Sequence, residues 1–179
     1  AKLLSEYVPD GWRIYIKEHP LQFSSSNLGE QGRSTYDYDD FSGLDNVELI
    51  DMDASQTKLI DSAAAVATVT GTAGWEAVNR GIPAIVFGNA SYQFCTGVYR
   101  VKTESELESA LRAVRDSVEI DPVNVRRFVQ AIETIGYRVP MHDSESIEST
   151  RPEAVDRYVS CITEFVENTH KKSVSTGSL

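Results

Sequence analysis

The chain has 179 residues, with 17 Lys and Arg against 27 Asp and Glu, a formal net charge of −10. That length supports one hydrophobic core, either a single domain or one half of a two-domain enzyme. The acidic balance argues against a nucleic-acid duplex or an anionic membrane as the main partner, since both reward clustered cations.

Cys95 and Cys161 are the two thiols, far apart and outside any metal-ligand spacing, as expected of free cysteines in a reducing compartment. No metal or cofactor site is expected. There is no apolar run long enough for a transmembrane helix and no basic-then-apolar leader pattern, so a cytoplasmic location is expected, at most peripheral to the inner face of the membrane.

Leu3, Leu4 and Tyr7 have helical spacing, and Pro9-Asp10-Gly11 stops that helix. Trp12-Arg13-Ile14-Tyr15-Ile16 follows as a strand and runs into Lys17-Glu18-His19-Pro20. His19 therefore lies just past a strand's carboxyl end, which is the ligand rim of an open α/β sheet. Residues 21–46 are rich in Ser, Gly and Asp and lack periodicity. The stretch reads as a floppy insertion or as a lid carrying Arg33, and Asp37, Asp39 and Asp40 read as loop solvation. Val47-Glu48-Leu49-Ile50 is the next strand, and Asp53 or Ser55 can cap the helix that carries Leu59 and Ile60.

The stretch from Ala65 to Gly88, AVATVTGTAGWEAVNRGIPAIVFG, carries the densest information. Ala65–Val69 is an apolar run without polar alternation, as expected for a parallel strand covered on both faces. The turn after it has only small side chains, so its N–H groups can approach a ligand, and Thr70 or Thr72 can cap the following helix. Gly81 ends that helix and Pro83 prevents its continuation. The helix N-terminus at a strand's carboxyl end suits a phosphate or carboxylate, and Glu76, one turn in, can accept bonds from sugar hydroxyls. The bland alternative is two capping threonines and a glutamate that complements the helix dipole.

Beyond Phe87, residues 88–94 form a further rim loop and Val98–Val101 a short closing strand. Thr103 and Glu106 have capping-box spacing ahead of a helix with Leu107, Leu111 and Val114 on one face. Pro122 opens another, with Val125, Phe128, Val129 and Ile132 inward. The expected organisation is a domain over residues 1–140, an acidic linker over 141–150, a C-terminal helix over 151–170 opened by Pro152, and a tail over 171–179. The alternation gives an α/β, Rossmann-like three-layer domain with a mostly parallel sheet. Such domains ordinarily carry a strand ahead of their first helix. No residues for one stand before Leu3, so an incomplete sheet is expected.

Lys17-Glu18-His19-Pro20, Leu49-Ile50-Asp51 with Ser55, Val69-Thr70-Gly71-Thr72-Ala73-Gly74-Trp75-Glu76-Ala77, Gly81-Ile82-Pro83 and Phe87-Gly88-Asn89-Ala90-Ser91-Tyr92 together resemble the capsule polysaccharide biosynthesis family, in order and spacing, from about Trp12 to Val101. The resemblance implies the C-terminal, nucleotide-binding half of a GT-B glycosyltransferase, similar to bacterial transferases of 3-deoxy-manno-octulosonic acid (Kdo). It implies a nucleotide sugar as ligand, CMP-activated in preference to UDP-activated, with an acceptor-binding domain upstream.

Carried over, His19 contacts or protonates the phosphate leaving group. Thr70, Gly71 and Thr72 bind that phosphate, Glu76 holds the ribose, and Lys17, Pro20, Gly74 and Tyr92 complete the substrate site. The family often has Ser where Thr70 stands, and Thr keeps the hydroxyl. Donor stabilisation of the phosphate as its charge develops is the chemistry these residues suit. The rival readings are a GT-B type sugar-nucleotide epimerase domain, whose catalytic carboxylates are not found here, and a non-catalytic binding module.

Overall fold

A computed structural model describes residues 2–19, 38, 41, 43–117, 119–136, 155–157 and 159–164. Pro20, Arg33, most of the 21–46 insertion, the 141–150 linker, Pro152 and the 171–179 tail lie outside the described residues. The chain divides into two compact units, Ala1–Phe128 and Val129–Leu179. Among the described residues no helix is long and apolar enough to cross a membrane.

In order along the first unit come α1 (Lys2–Tyr7), β1 (Ile14–Lys17), β2 (Val47–Ile50), α2 (Gln56–Ser62), β3 (Val66–Thr68), α3 (Thr72–Asn79), β4 (Ala84–Val86), β5 (Val98–Arg100) and α4 (Glu104–Arg115). α5 (Pro122–Ile135) begins in this unit and ends in the second. All strand pairs are parallel, and the fold is an α/β, Rossmann-like domain. The strands form two sheets among the described residues, β1 with β2 and β3-β4-β5 with β4 central. His19 and Gly71 therefore follow strands of two different sheets, and the single rim expected of them is not closed by strand pairing.

The core is built around β4, whose three residues are all buried. Alternation along the strand sends Ala84 and Val86 to one face and Ile85 to the other. On the first face Ala84 packs with Val78 of α3, Cys95, Ile120 and Val125 of α5, while Val86 packs with Ala90 and Tyr92. On the second, Ile85 packs with Val101 and with Leu107, Ala110 and Leu111 of α4, and α1 adds Leu4 and Tyr7. Helices thus cover both faces of this sheet, α3 and α5 on one side and α1 and α4 on the other. Burial on that scale is worth about 1.5–3 kcal/mol for a side chain the size of Ile85.

Double coverage was expected of β3 and is found at β4 instead. β3 is an edge strand with Ala67 exposed, and Val69 just beyond it is 63% exposed. The helix ends follow local chemistry. Ser55 caps α2 by accepting from the Lys58 N–H at 3.4 Å. The Thr103 hydroxyl accepts from Glu106 N–H at 3.3 Å, while the Glu106 carboxylate accepts from Lys102 N–H at 2.7 Å and Thr103 N–H at 3.0 Å, completing the capping box of α4. Those backbone donors hold the Glu106 carboxyl below the usual range.

α3 closes in a Schellman motif. Gly81, at φ +78°, bonds back to Val78 O at 3.1 Å, and Ile82 N–H reaches Ala77 O at 2.9 Å. In α5, Val125 is buried and Phe128 half-buried, whereas Val129 and Ile132, expected inward, are 37% and 42% exposed. In the second unit residues 155–157 and 159–164 are helical, with Val155, Val159 and Ile162 exposed.

Candidate functional site

The turn between β3 and α3 is shaped by close approach. Gly88 N–H bonds to Val69 O at 2.9 Å and Phe87 N–H to Thr68 O at 3.0 Å, so the β4 exit runs directly against the turn. A Cβ on Gly88 would stand 2.8 Å from Thr70 Cγ2 and 3.0 Å from Val69 O. One on Gly71 would stand 2.8 Å from Thr68 Oγ1. One on Gly74, the third residue of α3, would collide with Tyr92 Oη and stand 3.2 Å from Thr68 Cγ2. These contacts explain why the turn is written in small residues.

Neither Thr70 nor Thr72 caps the helix. The N-cap position is Gly71, which has no side chain to do so, and Thr72 is already the first helical residue. The Thr68 hydroxyl instead accepts from Gly71 N–H at 3.1 Å, one step before the helix, and Gly74 N–H bonds to Gly71 O at 3.3 Å. The N–H groups of Thr72 and Ala73 have no carbonyl to reach within the helix, because the first turn of any α-helix lacks one. Both threonine hydroxyls are released from capping, and Thr70, Gly71 and Thr72 are exposed. A helix start with open donors attracts anions through those donors and the helix dipole.

Behind the turn the structure is dense. Tyr92 is 5% exposed, and its hydroxyl donates to Gly71 O. Its ring centre lies 6.0 Å from that of Trp75, which lies 6.0 Å from Phe128. Burial raises the Tyr92 pKa, so the phenol stays a donor at neutral pH. Tyr92 thus braces the Gly71 carbonyl from the protein side of the turn. Burial likewise raises the Cys95 thiol.

Glu76 sits one turn into α3 and is half-buried. One carboxylate oxygen accepts from Gln56 Nε2 at 2.8 Å, and the other faces Arg80 Nε at 3.5 Å. Arg80 also bonds Asp61 Oδ1 at 3.0 Å, so the group ties α2 to α3. At the end of β1, Lys17 Nζ donates to Met52 O at 2.5 Å, anchoring that strand to the segment after β2. His19 is exposed beyond it. Tyr38 Oη donates to the adjacent Glu18 carboxylate at 3.0 and 3.1 Å.

The structure therefore brings together Thr70, Gly71, Thr72, Gly74 and Tyr92, with Glu76 on the next turn, while Lys17 ends and His19 follows a strand of the other sheet and Pro20 lies outside the described residues. Sequence reading missed Thr68, Gln56 and Arg80. Thr68 had a local signal, a hydroxyl three residues before a glycine N–H. The other two are recognisable only once α2 lies against α3.

No curated protein and no solved structure matches the chain. The sequence profile described as capsule polysaccharide biosynthesis protein matches residues 3–116, more than half of the chain and all of the strands and turns described above, and the chain belongs to that family.

Proposed function

We propose that this domain binds the nucleotide sugar of a GT-B type glycosyltransferase in capsule or surface polysaccharide synthesis, with a CMP-activated sugar such as CMP-Kdo as donor. One observation carries the reading: an exposed helix N-terminus at the end of β3 whose threonine hydroxyls are free of capping and whose backbone is braced from behind by Tyr92. In this reading the Thr72 and Ala73 N–H groups and the hydroxyls of Thr70 and Thr72 hold the phosphate. Glu76 accepts bonds from the ribose, and Lys17, His19 and Pro20 approach from β1. His19 shares a proton with the phosphate as the sugar–phosphate bond breaks and charge develops on the leaving group. The acceptor and the carboxylate that acts at the anomeric carbon belong to another part of the enzyme, so the chain by itself binds without transferring sugar.

The test is a titration of CMP and of UMP into the 179-residue chain and into its Thr72→Ala, His19→Ala and Glu76→Gln variants, each checked for folding. CMP binds weakly and more tightly than UMP. Each lost charge-assisted hydrogen bond costs about 1.5–3 kcal/mol, roughly one to two powers of ten in affinity. Equal CMP affinity across the native chain and all three variants would place the nucleotide elsewhere, and no binding of either nucleotide at millimolar concentration would remove the proposal for this chain.

A further inference from the structure

We propose that Arg100, stacked on the ring of Phe94, reads a carboxylate on the donor sugar and so sets the specificity of the site for an acidic sugar. The inference rests on the nucleotide placement proposed above and adds two residues to it.

Position points to them first. Arg100 is the last residue of β5, and strand pairing sets it beside Val86 at the carboxyl end of the sheet. The phosphate turn follows β3 at the same end, with β4 between the two strands. At the usual strand spacing, the backbones of β3 and β5 lie about 10 Å apart. Residues paired in register project to the same face, so Arg100 shares the face of Val86, which is the one α3 covers. Its side chain lies over the rim loop, with Cζ 4.8 Å from the centre of the Phe94 ring. Two residues earlier in that loop stands Tyr92, whose hydroxyl holds Gly71 O. One loop thus connects the phosphate turn with the Arg100 end of the rim.

The two sides of α3 give the direction of the ligand. Glu76 and Arg80 turn toward α2, where they meet Gln56 and Asp61, while Trp75 and Val78 turn toward β4 and α5. A nucleotide with its ribose at Glu76 and its phosphate at the start of α3 arrives from the α2 side. The group beyond its phosphate then passes over Gly88 toward the ends of β4 and β5, where Arg100 stands. A sugar ring with its carboxylate, met by the long arginine side chain, covers that span.

The chemistry of the pair names the group it takes. Arg100 is exposed, and among the described residues no carboxylate pairs with it, in a chain of net charge −10. Its guanidinium presents planar, paired donors that match the two oxygens of a carboxylate. Phe94 is 71% exposed. Its ring holds the guanidinium through the cation–π contact and leaves apolar surface open beside it for the C–H face of a sugar. A neutral sugar offers Arg100 only hydroxyl oxygens, with neither the charge nor the bidentate fit.

The experiment titrates CMP, CMP-Kdo and the methyl ester of CMP-Kdo, in which the sugar carboxylate is neutralised, into the 179-residue chain and its Arg100→Gln, Arg100→Lys and Phe94→Leu variants, each checked for folding. The native chain binds CMP-Kdo about 10-fold or more tightly than either CMP or the ester. Arg100→Gln brings CMP-Kdo to within about 2-fold of CMP and leaves the affinity for CMP as it was. Arg100→Lys keeps the charge without the planar fork and retains part of the preference, and Phe94→Leu reduces it. Equal affinity for the acid and its ester in the native chain, or a preference for CMP-Kdo that survives Arg100→Gln, would overturn the proposal and leave the nucleotide reading intact. So would an equal loss of CMP and CMP-Kdo in Arg100→Gln, which puts the arginine on the nucleotide. Failure of the native chain to bind any of the three ligands would remove the nucleotide reading and this proposal together.

Discussion

The brace behind the turn can be tested by a double-mutant cycle on Tyr92 and Gly74. Tyr92→Phe removes the hydrogen bond to Gly71 O and nothing of the ring packing against Trp75. A neutral hydrogen bond is worth about 0.5–1.5 kcal/mol net. Gly71 is exposed, so water can replace the lost donor, and a destabilisation of about 1 kcal/mol is expected. Gly74→Ala acts in the opposite sense on the same contact. The helix gains about 1 kcal/mol from alanine, but the added methyl collides with Tyr92 Oη and stands 3.2 Å from both Tyr92 Cε2 and Thr68 Cγ2. Overpacking of that kind costs about 1–3 kcal/mol. With the hydroxyl gone, most of the collision is relieved. The alanine should then be neutral or stabilising in the Tyr92→Phe background, a coupling of about 1 kcal/mol or more. Urea unfolding followed by tryptophan fluorescence measures all four corners of the cycle. Additivity within about 0.5 kcal/mol, the limit for independent sites, would mean that the hydroxyl and Gly74 do not share this space.

Ile85→Ala opens a cavity between β4 and α4 and should cost about 2–5 kcal/mol, whereas Leu49→Ala, at a site 48% exposed, should cost well under about 1 kcal/mol by the same denaturation assay. Thr103→Ala removes the cap of α4 and should cost about 1 kcal/mol at neutral pH. Glu106 is held below its ordinary value of 4.5 in the fold, so its contribution is present above that value and is lost as pH falls through the lowered one. Glu106→Gln should therefore flatten the stability profile between about pH 5 and 3, and an unchanged acid limb in urea midpoints would refute it.

Features with local causes were legible in the sequence. Val47–Ile50 is the strand residue for residue, Ser55 caps its helix, and the Thr103–Glu106 spacing forms the capping box, because each depends on groups within a few residues of one another. Features set by distant contacts were not. Ala65–Val69 and Ala84–Val86 are both short apolar runs, and only the pairing of β3 on one side and β5 on the other makes the second one central and fully buried. Thr70 and Thr72 have the chemistry of N-caps, but the N-cap position falls on Gly71 between them, and the Thr68 hydroxyl accepts from the Gly71 N–H ahead of the helix. Tyr92 belongs to a rim motif in sequence, and its burial beneath that rim comes from a 21-residue return of the chain. The separation of β1 and β2 from the other sheet lies wholly in strand pairing, to which local pattern is blind.

A protein of net charge −10 that is to hold a phosphate must keep carboxylates from opposing it near the point of contact. Glu76 is the carboxylate one turn beyond the open start of α3, and its charge is shared on both oxygens, with Arg80 at 3.5 Å on one and the Gln56 amide at 2.8 Å on the other. Arg80 in turn is held by Asp61 at 3.0 Å. Each carboxylate oxygen has two lone pairs, so these partners leave capacity to accept from further hydroxyls. Of the two partners, Gln56 makes the shorter contact, a 2.8 Å hydrogen bond to an ionised acceptor, whereas Arg80 stands 3.5 Å away as an ion pair. A sugar hydroxyl arriving at Glu76, as proposed, would therefore donate to the lone pairs these partners leave, without displacing the Gln56 amide. Asp61 and Glu76 share the one Arg80 guanidinium, so the group stays net negative, and the phosphate proposed at the start of α3 would be held by backbone donors and hydroxyls rather than by a compensating cation.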